Sequence, residues 1–222
     1  FTQQLAPAVI RVNGDSGFAP LALKCGRQPL IDAAKTNGIA ALPLVNIHHF
    51  AALWTEIEPV ASAGLCVMAC TSYKPVVIPA GGSKPLYGTN PFAFGWPRGS
   101  SPPMIFDQAS SVVARGEVML AAREGHSLAA GVGVDADGNP STDPDEVLKG
   151  ALLAFGGHKG SSIAMMVELL AGALIGESLS VEAAVRDNND GGPPQGGEFM
   201  LAMNPELFGD AQGWNARAER LF

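Results

Sequence analysis

The sequence predicts a mixed α/β fold of the α+β kind, and three observations carry that prediction. Apolar stretches of strand length, such as "LCVMACTS", alternate with segments whose apolar residues recur at helical spacing. Clusters of glycine and proline separate these segments and mark turns. With 222 residues, 47% of them hydrophobic, the chain can bury a sizeable core. Strands and helices packed around a common interior are therefore expected.

The first half of the chain predicts strands joined by two helices. A short strand and a turn at Asn13–Gly14 and Ser16–Gly17 are expected in "AVIRVNGDSGF", and strands are expected in "GIAALPLVNI" and "LCVMACTS". A helix is predicted from Pro20 to Asn37, with a break near Gly26 and Pro29, because an interior proline loses a hydrogen bond and clashes with the preceding turn. The spacing in "HFAALWTEIEPVASAG" predicts a second helix that ends at Gly64.

The second half predicts a long ordered loop followed by further strands and helices. Residues 74–91 are the loop, and "FAFGW" and "MIFD" are short strands. A helix is expected in "SSVVARGEVMLAAREG", with Ser110 or Ser111 as its N-cap. The strongest helix pattern is "SSIAMMVELLAGALIG", with Ser161 or Ser162 as its cap. A late strand, "FMLAMNP", and a helix at the end of the chain follow.

Charge and cysteine content narrow the partners that we expect. The net charge is −7 without a basic block, which argues against nucleic acid. The longest apolar run, Ile163 to Ile175, contains Glu168 and is too short to cross a bilayer, so no membrane partner is expected. Cys25, Cys66 and Cys70 form no CxxC pair and predict buried thiols in a reducing, cytoplasmic compartment.

Common cofactor and metal motifs are missing from the sequence. "GVGVDA" matches G-x-G-x-x-A, but "DGNPSTDP" follows it where a dinucleotide-binding fingerprint needs a helix. No zinc-ligand spacing is present, and the side chains of the adjacent His48 and His49 should diverge, so we expect no metal site.

The stretch "FGGHKGSS" is a candidate anion site. Its glycines allow close approach of a ligand, and it stands where a helix begins, so phosphate would be attracted there. His158 and Lys159 add donors, and Lys159 adds a full charge. The alternative interpretation is a solvated loop in front of a core helix.

Three further loops place polar side chains after strands. His48 and His49 lie where a strand ends and a helix begins, which is where ligands gather in α/β proteins, although two surface histidines would have the same pattern. Thr89 and Asn90 could orient a small polar substrate or serve only the turn. Asp107 could accept a ribose hydroxyl or cap a helix.

Four motifs in order carry a resemblance to a known family: "VNIHHFAALW", "GTNPFAFGWP", "IFDQASSVVARGEV" and "AFGGHKGSSIAMMVELLAGAL". With the turn pattern D-x-D-G-x-P-x-T-D-P at residues 135–144, nearly the whole chain resembles the malate/L-lactate dehydrogenase family of the non-Rossmann type. The resemblance implies an NAD(P)-binding domain with a largely antiparallel sheet and a second, helical substrate domain. Residues 48–200 would form the first, and residues 1–47 and 201–222 would belong to the second. We expect the chain to be part of a longer protein, truncated at both ends.

The resemblance also implies roles for individual residues. Thr89 matches a substrate contact, and the catalytic pair would be His49, which moves a proton in some relatives, and Glu117, the carboxylate that orients a histidine. The positions that match cofactor contacts are His49, Phe50, Ala51, Ala52, Leu53, Asp107, Gln108, Ala109, His158 and Lys159.

Within the family, "HHFAALW" followed by "KPLYGTNPFAFG" is most similar to the imine reductases. This implies reduction of a cyclic imino acid, Δ1-pyrroline-2-carboxylate or Δ1-piperideine-2-carboxylate, to L-proline or L-pipecolate, with NADPH, or alternatively NADH, as the hydride source. Two alternatives stay open: a malate-, lactate- or ureidoglycolate-type dehydrogenase that acts on 2-hydroxy or 2-oxo acids, and a catalytically silent nucleotide-binding relative. A homodimer is expected in each case.

Overall fold

The computed structural model describes residues 1–49, 52–188 and 191–222. The strands are β1 Thr2–Ala6, β2 Val9–Phe18, β3 Ile39–His48, β4 Cys66–Thr71, β5 Val77–Ile78, β6 Phe92–Arg98, β7 Ser101–Gln108, β8 Gly133–Val134, β9 Pro140–Ser141, β10 Ala151–Leu153 and β11 Gln195–Met203. The α-helices are α1 Ala19–Asn37, α2 Leu53–Ser62, α3 Arg115–Glu124, α4 Pro144–Lys149, α5 His158–Val167, α6 Ser180–Arg186 and α7 Trp214–Ala218.

A seven-stranded sheet with the order β1-β2-β3-β11-β4-β6-β7 is the centre of the fold. The pair β2–β3 is parallel, and every other neighbouring pair is antiparallel. The largely antiparallel sheet of the predicted mixed fold is therefore confirmed. The late strand β11 lies between β3 and β4 in the middle of the sheet, where both of its edges are paired.

Helices α1 and α2 cover one face of this sheet. Contrary to the expected break, α1 runs unbroken through Pro29. Its buried face, which includes Leu23 and Leu30, packs on the main core, and this burial outweighs the missing hydrogen bond. Gly26 allows the close approach, because a Cβ there would lie 2.6 Å from Cδ1 of Leu42.

The opposite face of the sheet is covered by α5 and its continuation. Val167 and Ala171 pack there against Cys70. The helix passes at Glu168–Gly172 into a π-helical turn. The predicted serine cap was wrong, because α5 begins at His158, before both serines, and its N-cap is Gly157.

The cap predicted for α3 was also wrong. The helix begins at Arg115 with Ala114 as its N-cap, so both serines precede it in the chain. Both serines are buried, and their hydroxyls donate to carbonyl oxygens: Ser110 to Asn90 at 2.7 Å and Ser111 to Val113 at 2.6 Å. Because these hydroxyls bond to backbone carbonyl oxygens, they do not cap the helix.

A four-stranded sheet, β5-β10-β8-β9, forms a second layer with its own small core. The segment "GVGVDA" supplies β8, which pairs with β9 in a hairpin, so it does not open a helix. In the described parts of the chain no single helix is long and apolar enough to cross a bilayer, although α5 with its continuation and α6 would reach that length and composition together, across a 64° bend. The large sheet takes strands from both sides of residue 47, and the division at residues 47 and 200 remains a proposal.

Candidate active-site groove

Three adjoining cavities form a groove along the ends of β3, β4 and β7. The cavity at His49, of about 360 Å³, and a middle cavity of about 630 Å³ share four wall residues: Thr89, Pro91, Asp107 and Ala114. A third, of about 390 Å³, meets the middle cavity at Val112 and is lined by two pairs of glycines, Gly81–Gly82 and Gly156–Gly157. Each volume is in the range of small-molecule sites. The shared walls make one continuous groove from His49 to the glycine turn before α5.

A buried polar network holds Thr89 in the wall of the groove. The carbonyl oxygen of Thr89 accepts the N–H of Ser110 at 2.7 Å. The side-chain amide of Asn90 donates to Ala164 O at 3.0 Å and to Oε1 of Glu168 at 2.7 Å. Glu168 in turn accepts from the backbone N–H and the hydroxyl of Ser180. Asn90 is fully buried and committed to this network, so the expectation that it orients a substrate was wrong.

Asp107 joins the groove to the start of α2. Its Oδ2 accepts the N–H of Trp54 at 3.0 Å, so it serves as the cap for a helix whose own N-cap, Ala52, offers no side-chain acceptor. Partial burial raises the pKa of Asp107, and the N–H groups of Trp54 and Leu53 oppose that rise. The helix cap is therefore confirmed, and the same residue lines the groove, where contact with a ribose hydroxyl stays a prediction.

His49 contacts two buried carboxyl groups. Its Nε2 lies 3.2 Å from Oε2 of Glu56 and 3.6 Å from Oε2 of Glu198. Glu56 is in the first turn of α2, and Glu198 lies at a β-bulge of β11 opposite Leu44. Burial, and then the charge of Glu56, raise the pKa of Glu198 well above its ordinary value of 4.5.

The remaining predicted residues lie in different parts of the groove. Ala52 and Leu53 line the cavity of His49, while Gln108, Ala109 and Glu117 line the middle cavity. Phe50 and Ala51 lie outside the described residues. Glu117 is exposed at the start of α3, and the carboxyl groups in contact with His49 are Glu56 and Glu198.

His158 and Lys159 are exposed at the first turn of α5. The glycines before them, Gly156 and Gly157, have φ of 55° and 61° and line the third cavity. The amides of Lys159 and Gly160 donate to the carbonyls of Gly156 and Phe155, at 3.3 Å and 2.9 Å. An anion at this end would therefore depend on the side chains of His158 and Lys159 more than on backbone amides.

Sequence reasoning missed three charged residues: Glu56, Glu198 and Arg115. Glu56 and Glu198 could have been found in the sequence, because each is an acid on an otherwise apolar, buried face. Glu56 lies one helical turn from the buried Val60, and Glu198 lies two residues from the buried Met200. Arg115 is a cation in the same cavity wall as His49, and it had no comparable signal.

His48 and Cys25 also show where the sequence predictions succeeded and failed. As predicted, His48 diverges from His49, and its Nδ1 lies 3.1 Å from Pro193 O in a separate cavity. Cys66 and Cys70 are buried as predicted, and burial raises their thiol pKa values to about 11 and about 12. Cys25 is exposed on α1, so its predicted burial was wrong.

Comparison with known proteins identifies relatives along the whole chain. Residues 2–222 match the model of the malate/L-lactate dehydrogenase family. The chain is 54% identical over 203 residues to Δ1-pyrroline-2-carboxylate reductase of Ancylobacter novellus, with 91% of this chain and 60% of that protein aligned. It is 47% identical over 220 residues to Δ1-pyrroline-2-carboxylate/Δ1-piperideine-2-carboxylate reductase of Pseudomonas aeruginosa, with 98% of this chain and 66% of that protein aligned.

A solved structure shares the fold. Δ1-piperideine-2-carboxylate reductase from Pseudomonas syringae pv. tomato superposes with a TM-score of 0.93 at 42% identity, covering 100% of this chain and 68% of that one. The chain thus spans less than two thirds of the length of the two reductases above.

Proposed function

The chain belongs to the malate/L-lactate dehydrogenase family, and from this premise we propose that it carries the cofactor groove and part of the active site of a cyclic imino acid reductase. The proposed substrate is Δ1-pyrroline-2-carboxylate or Δ1-piperideine-2-carboxylate, reduced to L-proline or L-pipecolate. The names of relatives that are 47% and 54% identical support this substrate class over 2-oxo acids. A homodimer is proposed on the same family resemblance.

The observation that carries the proposal is the continuous groove. A nicotinamide dinucleotide is elongated and carries phosphates, and the groove is elongated and ends beside His158 and the positively charged Lys159. Asp107 lies between the ends, where its remaining oxygen can accept a ribose hydroxyl. The residues present therefore fit such a cofactor, and we propose NADPH over NADH because the charge of Lys159 suits an additional phosphate.

When bound, the nicotinamide would supply the hydride for the imine carbon. The residues of the chain then have to hold the substrate and supply a proton to its nitrogen. His49 is proposed to hold that proton, since a histidine titrates near neutral pH and this one lines the inner cavity. Arg115 and Thr89 share its wall and suit the carboxylate of the substrate. Glu117, in the wall of the middle cavity, is proposed as the carboxylate that orients a histidine, as the family resemblance implies.

Turnover of the intact protein tests the proposal. NADPH oxidation is measured with the two cyclic imino acids, with pyruvate and with 2-oxoglutarate, and is then repeated with NADH. We expect the highest kcat/KM with a cyclic imino acid and NADPH. A Thr89→Val variant should raise KM for that substrate, and Thr36→Val, an exposed position on α1, is the matched control. Absence of turnover on either imino acid would contradict the proposed function.

A further inference from the structure

Glu56 and Glu198, the two glutamates in contact with His49, have more acceptor oxygens than there are hydrogen-bond donors around them. Glu198 is fully buried and Glu56 is 3% exposed. Neither oxygen of Glu198, nor Oε1 of Glu56, has a hydrogen-bond partner among the described residues. One carboxylate oxygen of Glu56, one of Glu198 and one ring nitrogen of His49 all lie within 4.8 Å of one another. Such unpaired, buried acceptors are costly, and two ionised carboxylates at this separation repel each other strongly.

A single proton reduces both difficulties. Two carboxylates have no hydrogen to donate, whereas a carboxylic acid beside a carboxylate forms a strong O–H···O bond. We propose that Glu56 and Glu198 share one proton and present a single negative charge to Nε2 of His49. They are thus positioning residues that set the tautomer of this imidazole.

The charges that surround the pair agree with one shared proton. From α1, the Arg27 guanidinium favours ionisation of Glu198 and provides the balancing positive charge. From β7, Asp107 interacts unfavourably with Glu56 and favourably with His49. From β4, Cys70 stays a neutral thiol, because burial and then Glu198 raise its pKa to about 12. With one proton on the pair, Arg27 balances the remaining carboxylate.

The shared proton also determines which nitrogen of His49 faces a reactant. If Nε2 carries hydrogen and donates to Glu56, Nδ1 is the nitrogen that can exchange a proton with a bound molecule. This use of the pair rests on the proposed function, but the shared proton itself does not.

Infrared spectroscopy of the intact protein tests the proton directly and without substrate. We expect the C=O stretch of a protonated, buried carboxyl group at neutral pH, shifted in D₂O and lost at alkaline pH. The band should disappear in Glu198→Gln and persist in Glu58→Gln, which makes the same change at an exposed position of α2. The alkaline titration of the unmodified protein suffices if a variant does not fold.

Nitrogen NMR of His49 supplies the second measurement. Glu198→Gln, whose amide still donates to Glu56, should keep the Nε2–H tautomer. Glu56→Gln replaces the carboxylate nearest Nε2 with an uncharged amide, and activity should drop at least tenfold. Absence of the band at neutral pH, or a stoichiometric divalent metal that is bound by the purified protein and lost in Glu198→Gln, would overturn the proposal. A band in a protein without reductase activity would instead refute only the proposed function.

Discussion

Lys159 carries a charge that can be removed with little structural disturbance. It is the second residue of α5, is exposed, and stands beside the glycine end of the groove. Lys159→Ala should remove a charge-assisted contact with a cofactor phosphate, worth roughly 1.5–3 kcal/mol. Titration should then show NADPH binding weakened about tenfold or more, because about 1.4 kcal/mol corresponds to a factor of ten.

Two controls separate charge from packing at this position. Lys159→Met keeps the aliphatic stem and should weaken NADPH as much as alanine does. Lys24→Ala, at an exposed position on α1, should leave binding unchanged. Melting temperatures without cofactor should hardly move in any of the three. Parent-like NADPH affinity in both Lys159 variants would exclude the phosphate contact.

Helix α2 depends on a cap from another element of the fold, and this can be tested. Asp107→Ala removes the acceptor for the N–H of Trp54, which should lower the free energy of unfolding by about 1 kcal/mol. Asp107→Asn keeps an acceptor oxygen and should recover most of that loss. Denaturant unfolding measures both variants, and equal losses in the two would show that the cap contributes nothing.

The packing of α1 on the sheet leads to a second prediction at the scale of one element, the effect of Gly26→Ala on stability. Gly26→Ala should improve helix propensity by about 1 kcal/mol, yet the added Cβ would lie 2.6 Å from Cδ1 of Leu42 and 2.9 Å from Cγ2 of Val12. Overpacking of a buried contact costs about 1–3 kcal/mol, so we expect net destabilisation. Gly116→Ala on α3, where a Cβ meets nothing within 4 Å, is the control and should be neutral or stabilising. Thermal unfolding of both variants decides the sign.

The buried carboxyl pair should give the whole molecule a characteristic pH dependence. Because burial raises the pKa of Glu198 above 4.5, the folded protein holds a proton that the unfolded chain releases. The free energy of unfolding therefore falls as pH rises from about 4.5 to the raised pKa, by at most about 1.4 kcal/mol per pH unit. Glu198→Gln lacks this group and should lose that decline.

Melting temperatures across this pH range measure the effect. The melting temperature of Glu198→Gln relative to the parent should increase steadily as pH rises, because only in the parent does ionisation of this residue stabilise the unfolded chain. The exposed Glu58→Gln on α2 should show a constant difference above about pH 6. Parallel curves for the parent and Glu198→Gln would show that Glu198 is not protonated in the folded protein.

The sequence by itself determined the fold class, the order of the main strands and helices, and the family. Hydrophobic periodicity and turn residues are local properties, so "LCVMACTS" predicts β4, and helical spacing predicts α1, α2 and α5 without any knowledge of their neighbours. Motifs with fixed order, such as "GTNPFAFGWP", likewise carry the family likeness in the chain itself.

Only the tertiary structure decided where these elements begin and what meets in the groove. Pro29 stays within α1, and α5 begins ahead of its serines, because burial against the sheet and the Gly156–Gly157 turn outweigh local propensity. Glu198 reaches His49 from 149 residues away because β11 lies next to β3 in the sheet. Strand pairing between distant segments depends on the packing of the whole core, and no local pattern in the sequence records it.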